Sequence, residues 1–214
     1  MKAVLFDLDG TLLDTLQDIA GSCNAALTRN GFPTYSAAAY RYFVGDGVAV
    51  LISRVVPRKA HDPATLARVA TDYREAYQKN WNATTLPYDG IPELLDQLTH
   101  RGIALTVLSN KPDDFTRRCV DEFLPRWQFA IVQGASQAFP PKPHAAGALH
   151  MATALKLPAS EFAYLGDTNT DMKTAVSAGM FPVGVKWGFR TAEELATAGA
   201  AVIIEHPRQL LDHL

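Results

Sequence analysis

The sequence has almost no cysteine: Cys23 and Cys119 are its only two, far apart and with no CxxC spacing. A disulfide framework is therefore not expected, and a reducing compartment, the cytoplasm, is the simplest setting. No run of 18 apolar residues occurs, so no membrane-spanning helix is expected. The N-terminus lacks a basic region followed by a long apolar one, which argues against a secretion signal. Charge of one sign is not in excess either. A formal net charge of −2 leaves no long-range field to draw the chain to nucleic acid or to an anionic membrane. Internal repeats and low-complexity segments are missing. The histidines (His61, His100, His144, His150, His206 and His213) share no metal-ligand spacing, which points to surface or packing roles.

What remains is an ordinary globular composition, 48% hydrophobic and 20% charged over 214 residues, enough for one large domain or a core with a modest insert. The apolar run Ala3-Val4-Leu5-Phe6 reads as a buried strand that breaks into a loop at Asp7, Asp9 and Gly10. From residue 14 to 86 the pattern changes. Helices are expected from Asp14 or Thr15 to about Asn30, from Ser36 to Tyr42, from Val48 to Val56 and from Asp62 to about Trp81, with no convincing strand. After Leu86-Pro87 come apolar strands at Ile103–Leu108, about Phe129–Gln133, Phe162–Leu165, Phe181–Val185 and Ala200–Ile204, alternating with helices. That alternation predicts parallel βαβ units. The expected architecture is an α/β, Rossmann-like parallel sheet formed by residues 1–13 and 87–214, with residues 14–86 inserted as an all-helical unit. Asp7/Asp9, Ser109 and Asp167 each end a predicted strand, so they should meet in the crevice beyond the strands' carboxyl ends.

Chemistry is concentrated at those ends. Two carboxylates one residue apart, Asp7 and Asp9, raise each other's pKa unless a cation or donors stand between them, an arrangement accepted mainly at functional sites. Ser109, in Leu108-Ser109-Asn110-Lys111, either holds a phosphate oxygen with nearby N–H groups or caps the next helix. Lys142, in Pro140-Pro141-Lys142-Pro143, is a cation in a stiffened backbone; it is either a charge-neutralising group or a solvated lysine. Gly166-Asp167-Thr168-Asn169-Thr170-Asp171 places two carboxylates at a helix start. Gathered with Asp7 and Asp9, they would make an all-oxygen site suited to Mg²⁺. Val44-Gly45-Asp46-Gly47 is either a substrate-facing loop, whose glycines allow close backbone approach, or a plain turn between helices.

Asp7-Leu8-Asp9-Gly10-Thr11 resembles the first motif, DxDGT, of the haloacid dehalogenase-like hydrolases. Ser109 resembles the second motif, and Lys142-Pro143 the third, with Ala145 in place of a further proline. Asp167 to Asp171 resembles the fourth, GDxxxD. The resemblance covers nearly the whole chain and implies a helical cap at residues 14–86. It also implies Asp7 as nucleophile and Asp9 as general acid/base. Phosphate would be held by Thr11, Ser109, Asn110, Lys142 and the loop glycines Gly45 and Gly47. Mg²⁺ would be held by Asp7, the Asp9 carbonyl and Asp167, with Asp171 a second ligand or a partner behind it. Val44-Gly45-x-Gly47 and Trp187-Gly188-Phe189 are similar to runs in phosphoglycolate-phosphatase-like members.

The expectation is a Mg²⁺-dependent phosphatase acting on a small phosphorylated metabolite, with 2-phosphoglycolate the favoured substrate, in a monomer or homodimer. A sugar-phosphate mutase of the β-phosphoglucomutase kind is the enzyme alternative. A phospho-accepting receiver-like switch is the alternative from signalling, although Asp9 and the helical insert argue against it. Asp9 also disfavours a dehalogenase, and Lys59 and Lys79 lack the context of an imine-forming lysine.

Overall fold

The computed structural model describes residues 1–214. Elements follow in chain order: β1 (Ala3–Phe6), β2 (Leu13–Asp14), α1 (Leu16–Arg29), α2 (Ala37–Phe43), α3 (Val48–Val55), α4 (Pro63–Asn80) and β3 (Leu86–Pro87). Then come α5 (Ile91–His100), β4 (Ala104–Pro112), α6 (Asp113–Phe123), β5 (Phe129–Ala135), α7 (Ala146–Leu155), β6 (Phe162–Gly166), α8 (Asn169–Ala178), β7 (Phe181–Val185), α9 (Ala192–Thr197) and β8 (Val202–Ile204). A 3₁₀ turn, Pro207–His213, closes the chain where a last helix is expected.

Six strands form one parallel sheet in the order β5-β4-β1-β6-β7-β8. β1 lies between β4 and β6, in register Phe6↔Val107 on one side and Phe6↔Leu165 on the other. All four of its residues are fully buried, as a continuous apolar run requires when both faces of a strand are covered. Alternation divides them: Val4 and Phe6 join the larger core with Leu94, Leu98 and Cys119, and Ala3 and Leu5 join Met151, Tyr164 and Met180 in a second one. From β1 the chain builds β4 and β5 outward, then returns to lay down β6, β7 and β8 on the opposite side. The strand order therefore reverses beside β1, where open α/β sheets leave a crevice.

Between β2 and β3 only helices occur, and α1 packs on α4. The two short strands pair antiparallel, Leu13↔Pro87 and Asp14↔Leu86, so the insert leaves and re-enters the sheet unit through one narrow ladder. Asp18 reinforces that junction. Its carboxylate accepts the backbone N–H and hydroxyl of both Thr84 and Thr85, at 2.6–3.1 Å. Burial alone would raise its pKa, but these donors hold it below the usual carboxylate value. At the head of α4, Asp62 accepts from the Thr65 N–H at 2.9 Å and Pro63 occupies the first turn, an N-terminal signal that is legible in the sequence.

Two expectations need correction. β4 does not stop at Leu108; it stays extended through Ser109, Asn110 and Lys111 to Pro112, paired with β5 as far as Pro112↔Ala135. Apolarity ends at Leu108 but the strand does not: Ser109, Asn110 and Lys111 pass through a bulge between the Leu108↔Gln133 and Pro112↔Ala135 pairs, and pairing resumes at Pro112. Consequently Ser109 and Asn110 do not cap α6, which starts after Pro112 with no side-chain cap.

Candidate active site

Asp7 follows β1 directly, and its N–H still donates to Leu165 of β6, at 2.9 Å. The turn that brings Asp9 round needs Gly10, which sits at φ +89°; a Cβ there would lie 2.4 Å from an Asp167 carboxylate oxygen. The close approach, as well as the backbone angle, fixes glycine at this position. β6 ends in Gly166, and Asp167 follows it. Thr168 then caps α8: its hydroxyl accepts the Asp171 N–H while the Asp171 carboxylate accepts the Thr168 N–H and hydroxyl, at 3.1 and 2.6 Å.

Lys142 reaches this cluster from the loop before α7. Its ammonium lies 2.8 Å from Asp7 Oδ1 and 2.6 Å from Asp171 Oδ1, with all three side chains buried. Burial works against the charge of Lys142, but Asp171 and Asp7 outweigh it and hold the ammonium protonated, well above the usual lysine value. Carboxylate oxygens of Asp7, Asp167 and Asp171 all lie within 4.8 Å of one another. Burial, with the Asp171 charge next and Asp9 adding, pushes the Asp7 carboxyl up to about 7 against the pull of Lys142. Burial and the neighbouring Asp7 and Asp171 raise Asp167 well above its ordinary value. Three buried carboxylates facing one ammonium leave a negative excess. A hard divalent cation fits that excess, and the donors are all oxygen, the set that suits Mg²⁺. Asp171 is the most committed of the three, since both its oxygens already serve Lys142, Tyr164 and Thr168.

Asp9 belongs to a different network. Its Oδ1 accepts from the Thr15 hydroxyl and from Lys111 Nζ, each at 2.7 Å. Thr15 thus stands at the N-cap position of α1 without capping it. The Lys111 side chain is only 4% exposed; burial disfavours its charge, but Asp9 overcomes this and keeps it protonated. Its ammonium rests 4.9 Å from the centroid of the Tyr77 ring.

Asn110 ties two loops together. Its amide donates to the Gly45 and Lys142 carbonyls, both at 3.1 Å, and accepts the Lys142 N–H at 2.9 Å. Ser109 accepts the Lys111 N–H at 3.2 Å and, like Asp7 and Asp9, lines a cavity of about 310 Å³ between the insert and the sheet. Gly45 and Gly47 lie on that cavity's wall. The loop carrying them is anchored to the sheet unit by Asn110, by the Thr170 hydroxyl on Asp46 at 2.7 Å, and by Arg190 on the Val44 carbonyl at 2.9 Å. Arg190 also bonds the Arg41 carbonyl, and Arg41 bonds that of Gly188.

Thr11 is turned away from the cavity, with its hydroxyl on Asp167 Oδ1 at 3.0 Å. Trp187-Gly188-Phe189 likewise braces the site from behind. The Phe189 N–H donates to Asp167 Oδ2 at 2.8 Å and the Trp187 indole to the Thr11 carbonyl at 3.0 Å. A Cβ on Gly188 would fall 2.1 Å from Asp167 Cβ. Cys23 and Cys119 are buried, and burial pushes both thiols up to about 11, so neither serves as a nucleophile.

Sequence reasoning missed Lys111 and Tyr77 as members of this region; it reads Thr15 only as a helix start and Arg190 only as the end of a stretch, Lys186–Arg190, that follows a strand and borders the crevice. For Lys111 the signal was the period-2 spacing with Ser109, readable only if the strand is known to continue beyond Leu108. Tyr77 arrives through packing of the insert and carried no local signal.

Comparison with known proteins supplies the family. Residues 4–185 match the family model for haloacid dehalogenase-like hydrolases. A phosphoglycolate phosphatase of Pseudomonas syringae pv. tomato is 28% identical over 214 residues, covering 98% of this chain and 78% of the relative. An N-acetylmuramic acid 6-phosphate phosphatase of Pseudomonas aeruginosa is 29% identical, covering 100% of this chain and 95% of that one. A solved protein of Lactobacillus delbrueckii subsp. bulgaricus, named by inference a phosphoglycolate phosphatase, superposes with a TM-score of 0.93. It is 28% identical and covers 99% of this chain and 97% of its own. The chain belongs to the haloacid dehalogenase-like hydrolases.

Proposed function

We propose that the chain is a Mg²⁺-dependent phosphatase that transfers a phosphoryl group from a small phosphomonoester to Asp7 and then to water. The carrying observation is the Lys142 bridge between Asp7 and Asp171 beside Asp167, with Asp9 held separately across the same cavity. Asp7, Asp167 and the Asp9 carbonyl would hold the Mg²⁺, which when bound neutralises the carboxylates and the phosphate they must approach.

An Asp7 oxygen attacks phosphorus in line, and the bond to the ester oxygen breaks as the new one forms. Lys142 offsets negative charge on nucleophile and phosphate as they meet, and Ser109 supports the equatorial oxygens, while Asn110, its amide already used on Gly45 and Lys142, positions those two instead of holding phosphate itself. Asp9, protonated at that moment, gives its proton to the leaving alkoxide. It then takes one from the water that attacks phosphorus, releasing phosphate and restoring Asp7. The helical insert, residues 14–86, acts as a cap over residues 1–13 and 87–214, with the 44–47 loop forming part of the cavity wall and limiting water access.

The favoured substrate is 2-phosphoglycolate, supported by the relatives' names. Phosphoglycolate and N-acetylmuramic acid 6-phosphate are both phosphate esters of alcohols that carry a carboxylate. The test is phosphate release from phosphoglycolate, sugar phosphates, nucleotides and pyrophosphate, with Mg²⁺ and with a chelator. Mg²⁺-dependent release with one preferred ester is expected. No release from any of them, or interconversion of sugar phosphates instead, would overturn this reading.

A further inference from the structure

The mechanism above leaves Lys111 without a task. It is a buried ammonium on the wall of the cavity, on the Asp9 side where the leaving alcohol departs, and Lys142 already serves the phosphate side. In this structure Asp9 is its only ion-pair partner, at 2.7 Å. Asp9 must turn to the leaving oxygen to act, and that withdraws the counter-charge from a lysine with almost no solvent. A buried charge stripped of its partner is strongly disfavoured, so a second anion has to arrive with the substrate.

A second, independent feature lies at the same wall. Tyr77 is 2% exposed, its ring supports the Lys111 ammonium, and its hydroxyl has no hydrogen-bond partner. A buried phenol normally finds one. Ile19, Val48, Leu51 and Phe115 make much of the surrounding wall apolar, and its Thr71 and Tyr73 hydroxyls carry no charge to set against an anion. Arg74 also borders the cavity, but its side chain is 57% exposed and paired with Asp114 at 2.5 Å, so it remains solvated whatever the substrate carries.

We propose that Lys111 and Tyr77 form a subsite for a carboxylate on the leaving alcohol, and that Lys111 exchanges Asp9 for that carboxylate as the substrate binds. The inference rests on the phosphatase reading. Lys111 selects the substrate by this exchange and frees Asp9 only when an anion replaces it, whereas a neutral alcohol leaves Asp9 held by Lys111 and Thr15. Other anionic groups share the same electrostatics, so a second phosphate on the alcohol is a competing source of the charge.

The experiment compares kcat/KM for phosphoglycolate with that for 2-hydroxyethyl phosphate, which replaces the carboxylate by a neutral hydroxymethyl group, and with a bisphosphate of similar length. Wild type, Lys111→Met and Tyr77→Phe are measured with Mg²⁺. Wild type should prefer the carboxylate over the neutral ester by on the order of a hundredfold, the lower end of what losing one partner of a buried charge pair implies. Lys111→Met should reduce that preference to within about threefold, by raising KM for the carboxylate ester and by raising kcat for the neutral one, since Asp9 is no longer held by the lysine. Tyr77→Phe keeps the ring under the ammonium and should cut the preference about tenfold; it carries the decision if the Lys111 variant does not fold. No preference in wild type, a preference for the bisphosphate over the carboxylate, or a preference unchanged in the folded variants would overturn the subsite. Absence of phosphate release from every ester would instead overturn the phosphatase reading on which it rests.

Discussion

Asp7 and Asp9 are two positions apart in sequence and occupy opposite surroundings. Asp7 shares a buried cluster with two further carboxylates and Lys142, whereas Asp9 is bonded to Thr15 and Lys111 on the cavity side. The proposed mechanism needs that division, with a nucleophile beside the cation and an acid/base beside the leaving group. Asp7→Asn should therefore lower turnover by roughly 10⁴-fold or more while the chain stays folded, since Lys142 keeps Asp171 as a partner. Asp9→Asn keeps the shape but can neither give nor recover a proton, and kcat should fall by about 10²–10⁴ in steady-state assays. Equal loss of activity on esters with very good leaving groups would argue against an acid role for Asp9, because such esters need little protonation.

At the scale of elements, the strand ends decide the site. Gly188 follows β7 and lies against Asp167, so Gly188→Ala drives a methyl group into the carboxylate's own Cβ. Metal affinity measured by calorimetry should drop about 10–100-fold, because the group that orients the carboxylate through the Phe189 N–H is displaced. Gly21 provides the opposite case. It lies within α1 with open space where a Cβ would go, and Gly21→Ala should stabilise the fold by about 0.5–1 kcal/mol in denaturant titrations. Much of this level was legible in the sequence. The apolar run before Asp7 and the Asp62-Pro63 helix start are local signals, and local physics forms those elements. The continuation of β4 through Ser109-Asn110-Lys111 was not legible, since polar residues carried through a bulge between two paired positions look like a loop in one dimension. Lys111 was lost with it. Trp187-Gly188-Phe189 was legible as a family-like run, but its task, fixing Asp167 from behind, depends on a contact across the sheet.

For the whole molecule, the buried carboxylates couple stability to pH and to cation. Asp7 has its folded-state pKa raised from 3.8 to about 7, mainly by burial. Between those values the folded chain keeps a proton that the unfolded chain has released, so this contribution stabilises fully below about pH 4 and is lost as pH rises to about 7. Asp167 is shifted in the same direction. Metal-free protein should accordingly melt at progressively lower temperature across that window. Mg²⁺ should reverse the loss at pH 8, raising the melting temperature by roughly 5–10 °C at a hundredfold excess over its dissociation constant. At pH 5 it should do little, because protonated carboxylates are poor ligands. An equal Mg²⁺ shift at both values would mean that the cation binds elsewhere. The cap and sheet unit are joined by the Asp18 clasp, the β2–β3 ladder and the Arg190, Thr170 and Asn110 bonds to the 44–47 loop. Removing Arg190 leaves the Val44 and Arg41 carbonyls without their donor. Arg190→Met should speed amide exchange in residues 44–47 and raise KM several-fold with a smaller change in kcat.

Formation of a phosphoenzyme at Asp7 tests the central claim most directly. The protein is mixed with phosphoglycolate and Mg²⁺, quenched within the first turnover, and reduced with borohydride, which converts an acyl phosphate on aspartate to homoserine. Peptide mass analysis then locates the change. Homoserine at position 7, absent without Mg²⁺ and absent in Asp7→Asn, is the predicted result. Phosphate release in the same mixture with residue 7 unmodified, or with the change at Asp9, would contradict it.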